Sequence, residues 1–183
     1  FITLLQDPTA RSMLRTLFFS LQECQKGARR PKDFPRTTIK KVGILGAGLM
    51  GQGLALVSAK VGIDVVLLDR DVPSAERGKE RVASSLQRDL EKGRTTQAKK
   101  DALLARIHAT ASYEDLAGCD LVVEAVFEDR GIKAAVTKAA EAVLGPDAVF
   151  ATNTSGLPIT GLAEASVRPE NFIGMHFFSP VER

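Results

Sequence analysis

Apolar and polar residues follow two patterns along the chain. One is the three- or four-residue spacing of an amphipathic helix, and the other is the short, continuous apolar run of a buried strand. Between residues 7 and 27, apolar side chains recur three or four positions apart, which predicts an amphipathic helix. Asp7 and Pro8 predict its N-cap and first helical position, and Gly27 predicts its C-terminal cap. The polar stretch over residues 29–35 predicts a linker. We therefore expect a helix and linker over residues 1–36.

From residue 39 onward, short apolar runs alternate with longer amphipathic segments. Runs that are apolar throughout indicate strands buried on both faces, and helical connections between them indicate parallel strands with right-handed crossovers. We therefore predict an α/β domain over residues 37–183, built on a doubly wound, mostly parallel sheet. The predicted strands are residues 41–45, 64–68, 107–109, 121–126, 148–151 and 172–175. The predicted helices are residues 49–60, 73–92, 96–106, 131–144 and 159–163.

A glycine-rich turn follows the first predicted strand. Gly46, Gly48 and Gly51 have the G-x-G-x-x-G spacing between a strand and a helix, and Asp69 ends the next strand. In a Rossmann-like fold, such glycines form the turn, admit a pyrophosphate and let helix and strand pack closely. Asp69 would accept hydrogen bonds from the adenosine ribose, which favours NAD over NADP, although Arg70 could neutralise a 2′-phosphate. A tight turn without any ligand is the alternative interpretation.

Polar residues also follow the last three predicted strands. Residues 126–128 follow the fourth strand, residues 153–155 the fifth, and His176 the sixth. Because ligands bind at the carboxyl ends of parallel strands, we expect these residues to meet in one crevice. His176 is the candidate general base for a hydroxyl that loses hydride. Ser155 could bond a substrate oxygen or the nicotinamide carboxamide, or cap a helix, and Glu128 could equally be a first-turn helix acid.

Composition narrows the class of protein. With 44% apolar and 26% charged residues, and no apolar run near the roughly 20 residues of a membrane helix, no membrane span is predicted. The net charge is +3, and the basic stretch over residues 26–36 has no aromatic partners, so a solvated linker is favoured over nucleic-acid binding. Cys24 and Cys119 are far apart, which predicts neither a disulfide nor a metal site and favours a reducing, cytoplasmic location. His108 has no partner motif and is predicted to be structural or exposed.

Four motifs in order resemble the NAD-binding domain of 3-hydroxyacyl-CoA dehydrogenases. They are Gly46-Ala-Gly-Leu-Met-Gly51, Val122-Val-Glu-Ala-Val-Phe-Glu128, Ala151-Thr-Asn-Thr-Ser155 and Gly174-Met-His-Phe-Phe-Ser-Pro180. The helix and linker resemble the segment that joins an enoyl-CoA hydratase domain to the dehydrogenase domain in the multifunctional α-subunit of bacterial fatty-acid oxidation complexes. Because the chain lacks an initial Met and stops at residue 183, we expect it to be a piece of a longer protein.

The resemblance implies oxidation of (S)-3-hydroxyacyl-CoA to 3-ketoacyl-CoA in fatty-acid β-oxidation, with NAD as cofactor. It implies that His176 is the catalytic base and that Ser155 contacts both substrate and nicotinamide. The implied cofactor contacts are the glycine turn, Leu49, Met50, Asp69, Val126, Phe127, Glu128, Lys133 and position 179. Many family members have Asn where this chain has Ser179, which puts that contact in question.

The same resemblance implies parts that this chain does not include. The family's glutamate that orients the histidine, and the helical domain that closes over the acyl-CoA, fall beyond residue 183. We therefore expect the chain alone to bind NAD but to have little activity, and the complete protein to associate with a thiolase subunit. A dehydrogenase of short, free β-hydroxy acids and a non-catalytic NAD-sensing module are the alternative functions.

Overall fold

The structure is a computed structural model that describes residues 2–33 and 37–181. The chain divides into two compact units, Phe1–Thr38 and Ile39–Arg183. Residues 34–36 of the predicted linker and residues 182–183 lie outside the described residues.

The first unit is helical. Asp7 is the N-cap of the second helix, because its Oδ1 accepts a hydrogen bond from Thr9 N at 2.7 Å, and Pro8 occupies the first helical position. These observations confirm the predicted cap. The prediction missed a helix before Asp7 and a π-helical segment in which the Ser20 hydroxyl donates to Arg15 O at 2.9 Å. The segments are α1 (Ile2–Gln6), α2 (Pro8–Met13), the π-helix Leu14–Phe19 and α3 (Ser20–Gln25).

The amphipathic face of the first unit is exposed. Five of its apolar side chains keep 45–66% of their surface accessible, and Ile2 and Leu4 of α1 are exposed as well. These five are Met13, Leu14, Leu17, Phe18 and Leu21.

The second unit is built on one sheet of six parallel strands in the order β3-β2-β1-β4-β5-β6. This architecture confirms the predicted doubly wound α/β fold. Because β1 pairs with both β2 and β4, the chain reverses its winding direction beside β1, which opens a crevice at the carboxyl ends of these strands. The strands are β1 (Lys41–Leu45), β2 (Asp64–Leu68), β3 (Ile107–Thr110), β4 (Leu121–Glu124), β5 (Val149–Thr152) and β6 (Phe172–Gly174).

Helices cover both faces of the sheet and create two hydrophobic cores. On one face Ile44 and Leu67 pack with Leu86, which lies on the helix that follows β2, and all three residues are at most 1% exposed. On the other face Val122 and Phe150 are buried beneath the helix between β4 and β5. Fully burying such a side chain contributes about 1.5–3 kcal/mol. The helices are α4 (Leu49–Lys60), α5 (Val72–Glu91), α6 (Gln97–Ala105), α7 (Arg130–Glu141) and α8 (Ile159–Ala163).

Half of the predicted strand and helix boundaries in this unit coincide with the structure and the others differ by one to three residues, and the difference at β4 has a specific cause. The predicted strand extends to residue 126, whereas β4 ends at Glu124. The Glu124 carboxylate accepts a hydrogen bond from Val126 N at 2.8 Å, which turns the backbone away from the sheet. Within residues 2–33 and 37–181, no helix has both the length and the apolar character needed to cross a membrane.

Candidate functional site

The glycine turn leads directly from β1 into α4. Gly46 has φ +99°, and a Cβ there would lie 2.7 Å from Ala125 O. A Cβ at Gly51 would lie 1.8 Å from Gly46 O, so this helix position must be glycine for α4 to approach the strand. Gly48 is the N-cap of α4, and no side chain in the described part of the unit caps that helix. The first turn of α4 is therefore available for an anionic group.

A cavity of about 530 Å³ lies at the carboxyl ends of β1, β2 and β4. Its lining includes Gly46, Gly48, Asp69, Val126 and Phe127. The structure thus brings together five residues that the sequence predicted to bind the cofactor. The remaining lining is largely apolar and includes Leu68, Ala111, Tyr113, Ile132 and Val136.

The charged groups at this cavity suit an unphosphorylated ribose. Asp69 Oδ2 accepts a hydrogen bond from Ala47 N at 2.7 Å, so the carboxylate also fixes the glycine turn. Arg70 is 81% exposed, and its guanidinium pairs with Asp71 at 3.1 Å. A 2′-phosphate here would face the Asp69 carboxylate, whereas the nearby arginine already has an acidic partner. The cavity, the uncapped helix and this carboxylate together fit NAD.

Lys133, which the family resemblance implies is a cofactor contact, is a buried ion-pair residue of α7. Its side chain is only 3% exposed and pairs with Glu124 at 2.8 Å and with Glu128 at 3.1 Å. The second Glu128 oxygen accepts hydrogen bonds from the Thr154 hydroxyl and from Gly156 N, the latter at 3.3 Å. Glu128 therefore joins α7 to the loop that follows β5.

The surroundings of Glu128 favour its ionised form. Partial burial raises the pKa of this carboxyl, but hydrogen bonds from Thr154 and Lys133 outweigh the burial and lower the pKa to about 2.

Helix α7 begins only at Arg130, and its N-cap is Asp129. The alternative prediction that Glu128 is a first-turn acid of this helix is therefore wrong.

We expect Glu128 to make the stability of this unit depend on acid pH. Its pKa is about 2 in the folded protein against an ordinary 4.5, so the stabilisation is present above pH 4.5 and is lost as the pH falls towards 2. Urea unfolding of wild type and Glu128→Gln should therefore show a difference in unfolding free energy that shrinks over this range. Glu164→Gln, at an exposed position, is the control. A difference that does not change with pH would contradict this prediction.

His176 lies two residues beyond the end of β6, in a segment that two backbone contacts fix. Met175 N donates to Thr152 O at 2.9 Å, and Phe177 N donates to Asn153 Oδ1 at 2.8 Å. The imidazole is exposed and packs edge-on against Phe178, with ring centroids 4.9 Å apart. Hydrogen bonds on both sides thus hold the backbone of His176 at the same sheet edge as the cavity.

Ser155 lies in the loop after β5 and is exposed. Helix α8 begins at Ile159 and its N-cap is Pro158, so the alternative prediction that Ser155 caps a helix is wrong. Thr154 stabilises this turn instead, since its hydroxyl oxygen accepts a hydrogen bond from Leu157 N at 3.3 Å. Among the described residues, the Ser155 hydroxyl has no hydrogen-bond partner, which leaves it available to a ligand.

Seven of the predicted cofactor contacts do not line the 530 Å³ cavity: Leu49, Met50, Gly51, Glu128, Lys133, Ser155 and Ser179. Leu49 and Ser179 line a second cavity of about 320 Å³, formed by α4, α5 and the segment after His176. Met50 is half-buried and lines neither cavity. The predicted cofactor contacts therefore do not share one cavity, since five line the 530 Å³ cavity and two line the 320 Å³ cavity.

Two buried residues beneath this edge are absent from the predicted site. Glu124 and Thr152 end neighbouring strands, are each 1% exposed, and are joined by a hydrogen bond of 2.7 Å from Thr152 Oγ1 to Glu124 Oε2. The available signal was the acid within the apolar run Leu121-Val-Val-Glu-Ala-Val126, because an acid in a buried strand requires a partner.

A parallel sheet with a glycine turn at its switch point and an acid after the second strand defines a Rossmann-like dinucleotide-binding domain. The profile of the family described as "3-hydroxyacyl-CoA dehydrogenase, NAD binding domain" matches residues 41–183. The chain therefore belongs to this family, and its cofactor is NAD.

Two curated relatives illustrate the family. A protein from Deinococcus radiodurans described as "Probable 3-hydroxybutyryl-CoA dehydrogenase" is 47% identical over 141 residues, which cover 77% of this chain and 50% of that protein. The fatty acid oxidation complex subunit alpha of Pseudomonas syringae pv. syringae is 41% identical over 181 residues, which cover 99% of this chain and 25% of that subunit. The chain thus spans half or less of the length of these relatives.

Solved structures agree with the family assignment. The (S)-3-hydroxybutyryl-CoA dehydrogenase from Ralstonia eutropha superposes with a TM-score of 0.76 at 43% identity, over 79% of this chain and 51% of that chain. The dehydrogenase part of a multifunctional enzyme from C. elegans gives a TM-score of 0.70 at 28% identity, over 80% of this chain and 33% of that chain.

Proposed function

We propose that the full-length protein oxidises (S)-3-hydroxyacyl-CoA to 3-ketoacyl-CoA in fatty-acid β-oxidation, with NAD as the oxidant. The observation that carries this proposal is that one sheet edge holds both the glycine-turn cavity and the segment containing His176. A cofactor that binds in the crevice outside the strands would then reach from the glycine turn towards β6.

Two sets of groups at the glycine turn would hold the cofactor. The amide groups of Gly48, Leu49 and Met50 at the start of α4 would bind its pyrophosphate, and Asp69 would accept hydrogen bonds from its adenosine ribose. The apolar part of the cavity, which includes Tyr113 and Ile132, suits an adenine ring. Further contacts to the rest of the cofactor would come from Val126, Phe127, Glu128, Ser155 and Ser179. The ion pair with Lys133 would hold Glu128 in place.

The chemistry divides between the cofactor and the protein. When bound, NAD supplies the hydride acceptor for C3 of the substrate. His176 takes the hydroxyl proton as the carbonyl forms, since an imidazole at hydrogen-bond distance is the commonest general base. The Ser155 hydroxyl hydrogen-bonds the same substrate oxygen and keeps it directed at His176. Proton transfer and hydride loss then occur in one fixed geometry.

Similarity over almost the whole chain to a fatty acid oxidation complex subunit supports a further proposal. Residues 1–36 join the NAD-binding domain to a hydratase domain, and the complete protein works in the cytoplasm with a thiolase subunit. The exposed apolar side chains of α2, the π-helix and α3 would be covered in such an assembly.

The proposed function is tested by comparing a thioester with the corresponding free acid. We expect the full-length protein to reduce NAD with (S)-3-hydroxybutyryl-CoA and to show little activity with free 3-hydroxybutyrate at equal concentration. The physical reason is that binding energy from the distant CoA group positions the reacting carbon. NADH formation is followed by absorbance. Preference for the free acid, or NADH binding without turnover of either compound, would overturn the proposal.

A further inference from the structure

A buried charge cluster lies directly beneath the cofactor edge of the sheet. Glu124 is 1% exposed and Lys133 is 2% exposed, so both charges are removed from water. The Glu124 carboxylate accepts hydrogen bonds from Lys133 Nζ at 2.8 and 3.0 Å, from Thr152 Oγ1 at 2.7 Å and from Val126 N at 2.8 Å. A carboxylate has about four acceptor positions, and here protein donors occupy them all. Glu124 therefore cannot itself bind a ligand.

Of the groups that Glu124 holds, Val126 lies in the wall of the cofactor cavity, and Lys133 connects through Glu128 to the loop after β5. Val126 follows the turn out of β4 and lines the 530 Å³ cavity. Lys133 uses its remaining bonding capacity on Glu128 at 3.1 Å, and Glu128 in turn binds Thr154 and Gly156 N in the loop before and after Ser155. One carboxylate thus connects the end of β4, the first turn of α7 and the loop after β5.

Stability alone does not account for this arrangement. A buried ion pair is often no more stabilising than well-packed apolar side chains of similar volume, because desolvation of the charges offsets their attraction. The ion pair between Glu124 and Lys133 instead fixes the position of each of these two side chains. The single ammonium of Lys133 lies between two carboxylates, so one cation faces two acidic side chains, of which Glu128 is 41% exposed.

We infer that Glu124 is a positioning residue for NAD binding: by fixing the Val126 amide and the Lys133 ammonium, it sets the orientation of residues 126–128. This inference rests on the proposed cofactor contacts of those residues. An amide cannot replace the carboxylate, because each carboxylate oxygen accepts two hydrogen bonds, and an amide nitrogen in place of either oxygen would oppose two donors.

The test is Glu124→Gln, with NADH affinity measured by calorimetry and folding measured by thermal unfolding. We expect the Kd to rise about 10- to 100-fold, the range seen when residues that orient ligand-binding groups are replaced in metal sites. In the full-length protein the KM for NAD should rise more than kcat falls. A purely structural role would instead reduce the folded fraction, and with it kcat, without moving KM.

Glu141→Gln is the matched control. Glu141 is also a buried carboxylate of α7, 7% exposed, but it accepts hydrogen bonds from Ser166 Oγ at 2.5 Å and Val167 N at 2.8 Å, at the end of the helix far from the cavity. We expect this variant to lower the melting temperature and leave the NADH Kd unchanged. An equal change in Kd for both variants would overturn the inference, as would a Glu124→Gln Kd within twofold of wild type.

A second variant keeps the test decisive if Glu124→Gln does not fold. Thr152→Val removes the hydroxyl that donates to Glu124 and keeps the ion pair with Lys133. A smaller rise in Kd in the same direction supports the inference, and an unchanged Kd contradicts it. NADH binding by the wild type tests the cofactor site separately, so failure of the proposed function and failure of this inference give different results.

Discussion

His176→Ala is expected to lower the kcat of the full-length protein by about 10²–10⁴-fold, the usual contribution of a general base. The imidazole is exposed at the cofactor edge, and its backbone is held by the contacts of Met175 and Phe177, so the variant should fold normally. Without the base, the hydroxyl proton must pass to water while hydride leaves C3. The loss should therefore appear in kcat, with little change in NADH affinity. Steady-state oxidation of (S)-3-hydroxybutyryl-CoA measures it.

The control is His108, the other of the chain's two histidines. His108 lies on the edge strand β3 and pairs with Asp115 at 3.2 Å, with 62% of its side chain exposed. We expect His108→Ala to keep wild-type turnover. If His176→Ala turned over at the wild-type rate, or if both variants lost activity equally, His176 would not be the base.

Local sequence patterns predicted the parts of the fold that depend on local chemistry. Apolar runs such as Val65–Leu68 are buried on both faces, so hydrophobicity alone identified β2 and its parallel neighbours. The glycine turn was equally predictable, because Gly46 and Gly51 are required by the contacts of their own backbone. His176 was predictable as the candidate base from the order of strands and helices, because a polar residue that follows a parallel strand lies at the carboxyl ends of the strands, where ligands bind.

Those local patterns could not predict contacts between residues that are far apart in the sequence. Lys133 lies on a helix, where a lysine is usually solvated, and only the neighbouring strand end at Glu124 explains its burial. The early end of β4 has the same cause, because a side-chain hydrogen bond to Val126 N interrupts an otherwise strand-like run. The strand order likewise depends on the packing of whole helices. The 3₁₀ turn Tyr113–Leu116, which supplies an aromatic wall of the cavity, has no strong local signal.

Gly48→Val is expected to weaken NADH binding by about 10- to 100-fold and leave the fold intact, if the added side chain costs the complex the 1–3 kcal/mol typical of overpacking. A Cβ at Gly48 meets no atom within 4 Å, and the backbone there is extended, with φ −72° and ψ −164°, which suits valine. The empty space beside it belongs to the 530 Å³ cavity, so the new methyl groups would occupy volume that the cofactor needs. Calorimetry with NADH, together with thermal unfolding, measures both quantities.

Two other glycines separate a ligand effect from a folding effect. A Cβ at Gly145 also meets no atom within 4 Å, but this residue precedes β5 and so lies at the opposite edge of the sheet. We expect Gly145→Val to bind NADH normally. Gly51→Ala would place its methyl 1.8 Å from Gly46 O, so it should lower the melting temperature as well as the affinity. Because Gly48 combines a tolerant backbone with a position at the cavity, normal NADH binding by Gly48→Val would show that the pyrophosphate does not lie at the start of α4.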